Sequence, residues 1–224
     1  MTEASLRLQL EQATPQLGLD LSVAQVDNLF AYLALIQKWT KVYNLTAVRD
    51  PAEMLTHHLL DSLAVIAPLR AQIEKMPAVA TTTEHLRLLD VGSGAGLPGA
   101  VIAICCPEIR VDCVDTVAKK AAFIQHVAVS LKLPNLRGVH ARVENLTDKK
   151  YQVISSRAFA SLVDFTKWSK AALAERGIWM AMKGKSPADE MAALPSDVKV
   201  FHVEQLVVPG LDAERCIVWM ANSS

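Results

Sequence analysis

Long apolar runs are what the chain most clearly lacks. The longest, such as Gly99 to Cys106, fall far short of the roughly 20 residues a membrane-spanning helix needs. Residues Met1 to Gln12 carry Glu3, Arg7 and Glu11 and no continuous apolar stretch, so no secretory leader is expected. An excess of one charge is missing too, because 23 Lys and Arg balance 23 Asp and Glu. That excludes a protein that coats nucleic acid by bulk positive charge, though not one with a local basic face. Cysteine is scarce. Cys105, Cys106, Cys113 and Cys216 form no C-x-x-C pair and have no histidine at metal spacing, so no metal site is expected. They read as small core residues with reduced thiols, which fits a cytoplasmic protein. His57 and His58 are adjacent, point about 100° apart on a helix, and do not make a metal site either.

What is present is enough apolar sequence, 51% of 224 residues, for one large domain or a domain with an appendage. The first 75 residues read as helical. A weak helix spans 3 to about 17. Ser22 then caps a helix over 23–39 whose Val26, Leu29, Phe30, Leu33 and Ile36 form an apolar stripe. Asp50 and Pro51 read as N-cap and first helical residue of a further helix, extended by another piece to about Leu69. Met76 to Glu84 has no periodicity and reads as a linker. Beyond it the pattern alternates: strands over 86–91, 110–115, 136–140, 151–156 and 177–183, helices over 98–105, 117–131 and 161–174. Such alternation predicts a parallel sheet covered on both faces. Val198 to Val208 and Arg215 to Met220 lack an intervening helix and predict a terminal hairpin.

The first strand stops at Asp90 and runs into Gly92-x-Gly94-x-Gly96-Leu97-Pro98-Gly99. Strand, glycine turn and apolar helix are the parts that bring a backbone close to a nucleotide-like ligand. Gly92-x-Gly94-x-Gly96 after an acid is the form used by S-adenosylmethionine (SAM) methyltransferases. Gly94-x-Gly96-x-x-Gly99 equally satisfies the dinucleotide fingerprint, and a tight turn without ligand is the third reading. The terminal hairpin favours the methyltransferase build. An NAD(P)-dependent oxidoreductase, and a non-catalytic ribosomal RNA-binding module on the same fold, remain the alternatives.

Asp115 ends the second strand and is placed to accept ribose hydroxyls; Asp112 falls mid-strand and is less suited. Val143 and Glu144 follow the third strand, where an adenine ring would lie. Arg157 follows the fourth strand, where a guanidinium can grip a carboxylate or phosphate. Lys183 and Lys185 close the fifth. The Asn/Asp-Pro-Pro-aromatic sequence used to methylate exocyclic amines is absent, Ser155-Ser156-Arg157-Ala158 standing in its place. No cysteine lies near that strand to serve as a nucleophile for pyrimidine C5. No cluster of acids suggests metal-assisted O-methylation. An acceptor such as a purine N7, with a free lone pair and no need of a base, suits what remains. Trp39 and Tyr43 can stack on a base, although a helix-core role is the commoner one.

Several motifs together resemble the RsmG, or glucose-inhibited division protein B, family. They are Lys38-Trp39-x-Lys41-x-Tyr43-Asn44-Leu45-Thr46, Val48-Arg49-Asp50-Pro51, His58-x-Leu60-Asp61-Ser62, the glycine stretch from Asp90 to Gly99, Ser156-Arg157-Ala158-Phe159-Ala160, and Lys183-Gly184. The resemblance runs nearly end to end. It implies a Rossmann-like SAM-dependent methyltransferase sheet with a terminal hairpin and an N-terminal helical cap. The boundaries would be a cap over 1–75, a linker over 76–85 and a SAM-binding domain over 86–224. The activity implied is methylation of N7 of guanosine 527 in the 530 loop of bacterial 16S rRNA. The cofactor would be S-adenosyl-L-methionine and the partner 16S rRNA, the small subunit or its precursor, with no membrane or DNA and the protein a monomer. By similarity the cofactor contacts fall on Gly92, Leu97, Asp115, Val143, Glu144 and Arg157, alongside Gly94 and Gly96 of the loop. Arg157 and Lys183 are the candidate catalytic residues, and Lys38, Lys41, Arg49 and Lys185 the candidate RNA contacts.

Overall fold

A computed structural model describes residues 2–76, 85–157, 159 and 161–223. All but the two ends of the expected linker 76–85 lie outside the described residues, as do Ala158 and Ala160 of the Arg-Ala-Phe motif.

Helix α1 (Glu3–Ala13) ends in a single 3-10 turn at Pro15–Leu17, stopped by Gly18 in the left-handed region. Helix α2 (Val23–Tyr43) opens on the expected cap, with Ser22 and Gln25 bonding each other's backbone reciprocally. It runs one turn beyond the expected Trp39, until Asn44 adopts φ 51° and its amide bonds the Thr40 carbonyl. The Asp50 carboxylate accepts from the amides of Ala52 and Glu53 at the start of α3 (Pro51–Met54). From there the chain passes through a π-helical stretch (Leu55–Leu60) into α4 (Asp61–Leu63), then α5 (Ile66–Lys75). Among the described residues no helix is long and apolar enough to cross a membrane.

Seven strands make one sheet in the order β3-β2-β1-β4-β5-β7-β6. Strands β1 (Arg87–Val91), β2 (Arg110–Asp115), β3 (Leu136–His140), β4 (Tyr151–Ser156) and β5 (Leu173–Lys183) are parallel. Their connections carry α6 (Gly99–Cys105), α7 (Ala118–Ser130) and α8 (Leu162–Ser169). The expected hairpin is β6 (Val198–Leu206) and β7 (Arg215–Asn222), with β7 running antiparallel between β5 and β6. Within the sheet region the main departure from expectation is at α8 and β5. Helix α8 ends at Ser169, and β5 begins at Leu173 rather than 177, paired with Tyr151. Glu175, Arg176 and Gly177 interrupt the apolar pattern there, while the backbone continues as strand. A short helix α9 (Ala188–Ala192) before β6 was not anticipated.

Alternation along the strands supplies two faces. Leu88, Val111, Cys113, Val153, Ile217 and Trp219 pack with residues of α1, α2, α5, α6 and α7 into one continuous core. Leu89, Val114, Ile154, Trp179, Val218 and Met220 pack on the other side with Leu162 and Phe165 of α8. The N-terminal helices therefore share their core with one face of the sheet. Helix α6 is buried along its whole length, as its lack of polar residues requires.

Candidate cofactor crevice

The glycine turn is set by groups beneath it. Asp90, fully buried, accepts from Ser155 Oγ (2.8 Å) and from the Gly99 amide (3.0 Å), so one carboxyl ties β1 to β4 and to the start of α6. Burial pushes that carboxyl up to about 6, against the two hydrogen bonds that favour its charge. Gly99 must lack a side chain, since a Cβ there would stand 2.4 Å from Cys113 Sγ and 2.9 Å from Asp90. Gly94 holds φ 59° with open space where a Cβ would be, so the turn's backbone faces the crevice bare. Gly96 faces inward instead, 3.2 Å from the Tyr32 hydroxyl at its Cβ position.

Asp115 stands at the carboxyl end of β2, as expected. Its Oδ2 accepts from the Gly94 amide (3.1 Å) and its Oδ1 from the Val117 amide (2.9 Å), with Lys120 Nζ 3.7 Å away. Each oxygen keeps a lone pair for a further donor. Asp112, mid-strand, is engaged elsewhere by Arg137 and Tyr151.

Two adjoining cavities run along these strand ends. One of about 450 Å³ is lined by Gly92, Asp115, Lys120, Val143, Glu144, Phe159 and Trp168 among others. The second, about 300 Å³, is lined by Thr46, His58, Gly92, Gly94, Leu97, Lys120 and Arg157 among others. Gly92 and Lys120 border both, which makes one crevice. The structure thus gathers Gly92, Gly94, Leu97, Asp115, Val143, Glu144 and Arg157; Gly96 supports the turn from behind. Val143 is buried in a short turn after β3, and Glu144 lies 3.6 Å from Arg142.

Arg157 Nη1 donates to the His57 carbonyl and to Asp61 Oδ2, both at 3.0 Å. Asp61 Oδ1 accepts from Arg215 Nε at 2.8 Å. A third cavity of about 370 Å³ lies at this group, lined also by Lys183 and Gly184. Lys183 Nζ donates to the Phe159 carbonyl (3.1 Å) and to Glu190 (2.8 Å to Oε2), and Glu190 accepts from the Leu162 amide as well. Lys183 therefore holds the Phe159 carbonyl in place. His58 is buried, bonds Thr46 Oγ1 at 2.9 Å through Nε2, and is pushed down to about 4 by burial.

The candidate RNA residues are exposed. Lys38 and Lys41 lie on α2, and Lys185 follows β5. Arg49, bonded to Asn44 Oδ1 at 2.7 Å, lies on the loop whose Leu45 and Thr46 line the second cavity. Lys38 and Lys41 line neither half of the crevice. Trp39 packs in a ring cluster with Tyr43, Phe123 and His126, centroids 5.1 to 5.5 Å apart, which is the helix-core role. Sequence reasoning missed Lys120 and Trp168 in the crevice, and Asp61 and Arg215 as a pair in the third cavity. Lys120 had a signal, since it lies in the first turn of the helix that follows Asp115; Arg215 had none for its contact with Asp61, 154 residues away.

Residues 25–218 match the GidB family, described as rRNA small subunit methyltransferase G. A protein of Albidiferax ferrireducens named ribosomal RNA small subunit methyltransferase G is 68% identical, over 96% of this chain and 99% of that protein. Among solved structures, a SAM-dependent methyltransferase from Aquifex aeolicus aligns with a TM-score of 0.52 at 14% identity, over 79% of this chain and 96% of that one. One from Geobacter sulfurreducens, solved in complex with S-adenosyl-L-homocysteine, aligns with 0.51 at 11%, over 70% and 90%. These two likenesses concern the fold.

Proposed function

Because this chain belongs to the rRNA small subunit methyltransferase G family, we propose that it transfers a methyl group from SAM to N7 of guanosine 527 in the 530 loop of 16S rRNA. It does so as a cytoplasmic monomer, with 16S rRNA, the small subunit or its precursor as partner and neither DNA nor membrane involved. Residues 1–75 act as a cap on the domain over 86–224.

The observation that carries the reading is the crevice itself. Its larger half is an apolar-walled cavity with acids at the rim, of a size for a nucleoside. The bare Gly94 backbone and the spare lone pairs of Asp115 suit a ribose, and Val143 suits an adenine face. Ser93 Oγ, in the turn lining the smaller half, is buried and has no hydrogen-bond partner among the described residues. The residues present fit the cofactor. Bound there, SAM supplies an electrophilic methyl group on a sulfonium. Arg157, with Nη1 held by Asp61 and the His57 carbonyl, offers its other N–H donors to a carboxylate in the smaller half. Lys183 is a positioning residue, acting through Phe159. N7 of guanine carries its own lone pair, so the site needs to align the acceptor and exclude water rather than remove a proton. A neutral His58 at the crevice wall is compatible with that.

The test is incubation of the protein with small-subunit RNA and SAM labelled in the methyl group, followed by mapping of the modified base. Label in 7-methylguanosine at the one position is the expected result. Label at another base, or calorimetric binding of NAD without binding of SAM, overturns the reading.

A further inference from the structure

The amino-terminal ends of the parallel strands, across the sheet from the crevice, carry a second concentration of charge. Arg87 opens β1 and Arg110 opens β2, and the register sets them side by side. Like charges on neighbouring strands repel, so this pairing is unfavourable unless an anion lies against it. Asp112, two residues along β2 on the same face, accepts from both Arg137 and the Tyr151 hydroxyl (2.7 Å) and is engaged there. Together with Lys149, these residues line a cavity of about 360 Å³, four cations against one carboxylate. Among the described residues no acidic side chain pairs with Arg87, Arg110 or Lys149. In a chain of balanced charge this is a local basic face.

We propose that this cavity is a second contact for the phosphate backbone of the substrate RNA, gripping nucleotides outside the segment that enters the crevice. The inference rests on the reading of the protein as an rRNA methyltransferase. A small anion would be held by buried donors converging on one point. Here Arg110 and Arg137 are exposed, Arg87 and Lys149 half-buried, and the charges are spread across the ends of adjacent strands. That arrangement suits successive phosphates of a chain. The five residues of β1 separate the two sites by roughly 16 Å, so an RNA must extend several nucleotides beyond the target to reach both. A path exists along β3, the edge of the sheet, with Arg142 beside the crevice at one end and Arg137 in the cavity at the other.

The test compares the wild type with the double variant Arg110→Glu, Lys149→Glu, and with Arg110→Ala, Lys149→Ala in case charge reversal disturbs folding. Affinity for full-length small-subunit RNA and for a short stem-loop carrying only the target loop is measured by fluorescence anisotropy across salt concentrations. Melting temperature and SAM affinity are followed alongside. Charge reversal is expected to weaken binding of the long RNA at least tenfold and to lower its log–log salt slope by about one to two. Binding of the short stem-loop and of SAM stays within twofold of wild type. Unchanged affinity and slope on the long RNA overturn the proposal, as does an equal loss on both RNAs. It also falls if inorganic phosphate raises the melting temperature of the wild type alone while RNA binding is unaffected, which marks a small-anion site. If the wild type binds neither RNA, the rRNA reading itself fails, and this inference with it.

Discussion

The Tyr32 hydroxyl donates a 2.6 Å hydrogen bond to the Ala95 carbonyl, so helix α2 holds the glycine turn from behind. Tyr32 is fully buried, and Gly96 lies against the same hydroxyl. Tyr32→Phe removes the donor while keeping the ring, and leaves the Ala95 carbonyl without that partner. We expect a stability loss of about 1–2 kcal/mol in urea unfolding. Calorimetry should show SAM affinity reduced several-fold. Unaltered affinity would mean that the turn holds its shape without α2.

Asp115 has a dual part, bonding the Gly94 and Val117 amides while keeping lone pairs free. Asp115→Ala removes both functions and should weaken SAM binding by more than a hundredfold. Asp115→Asn can keep one acceptor oxygen but sets an amide NH₂ against a backbone donor, and should weaken it about tenfold. Equilibrium dialysis with labelled SAM orders the two variants.

Asp61 is buried between two guanidiniums. Asp61→Asn leaves Arg157 and Arg215 without their counter-charge, and breaking a partly buried network of this kind costs about 3 kcal/mol. Thermal unfolding measures the loss. Double substitution of Asp61 and Arg157 should cost less than the sum of the two single changes, because Arg215 alone is then left without its counter-charge.

The buried His58 and Asp90 pull the pH profile in opposite directions. His58 gains its proton near 6.5 when unfolded but only near 4 when folded, so the unfolded chain binds more protons between those values. Stability from this group therefore falls on acidification through that window, by on the order of 3 kcal/mol. Asp90 titrates near 6 folded and 3.8 unfolded, so its contribution falls as pH rises between them. In His58→Gln the Asp90 slope is no longer opposed by that of His58. Its melting temperature at pH 5, relative to pH 7, should be higher than that of the wild type on the same comparison. Equal differences in the two proteins would show that His58 is not held neutral by the fold.

Local rules carried the sequence reading wherever a residue's role depends on its neighbours in the chain. The caps at Ser22 and Asp50, the ends of β1 and β2, and the placement of Asp115 at the end of β2 and Val143 just after β3 follow from spacing alone. Periodicity misled at Glu175 and Arg176, because a polar pair inside a strand looks like a turn. It gave no hint of the link from Asp61 to Arg215, which spans 154 residues, or of the one from Tyr32 to Ala95. The glycine motif does not distinguish a position open to the crevice, as at Gly94, from one whose Cβ direction faces Tyr32 of α2, as at Gly96. Only packing separates the two.

Strand β7 enters the sheet from the end at which the parallel strands finish, and so its first residue, Arg215, arrives beside Asp61. During synthesis, then, everything up to β5 can collapse while the carboxylate of Asp61 still has one of its two guanidiniums missing. The slot between β5 and β6, where Trp219 is fully buried, is filled only when the segment 215–222 has left the ribosome. A nascent chain that stops short of β7 has every residue lining the crevice but lacks the second guanidinium on Asp61.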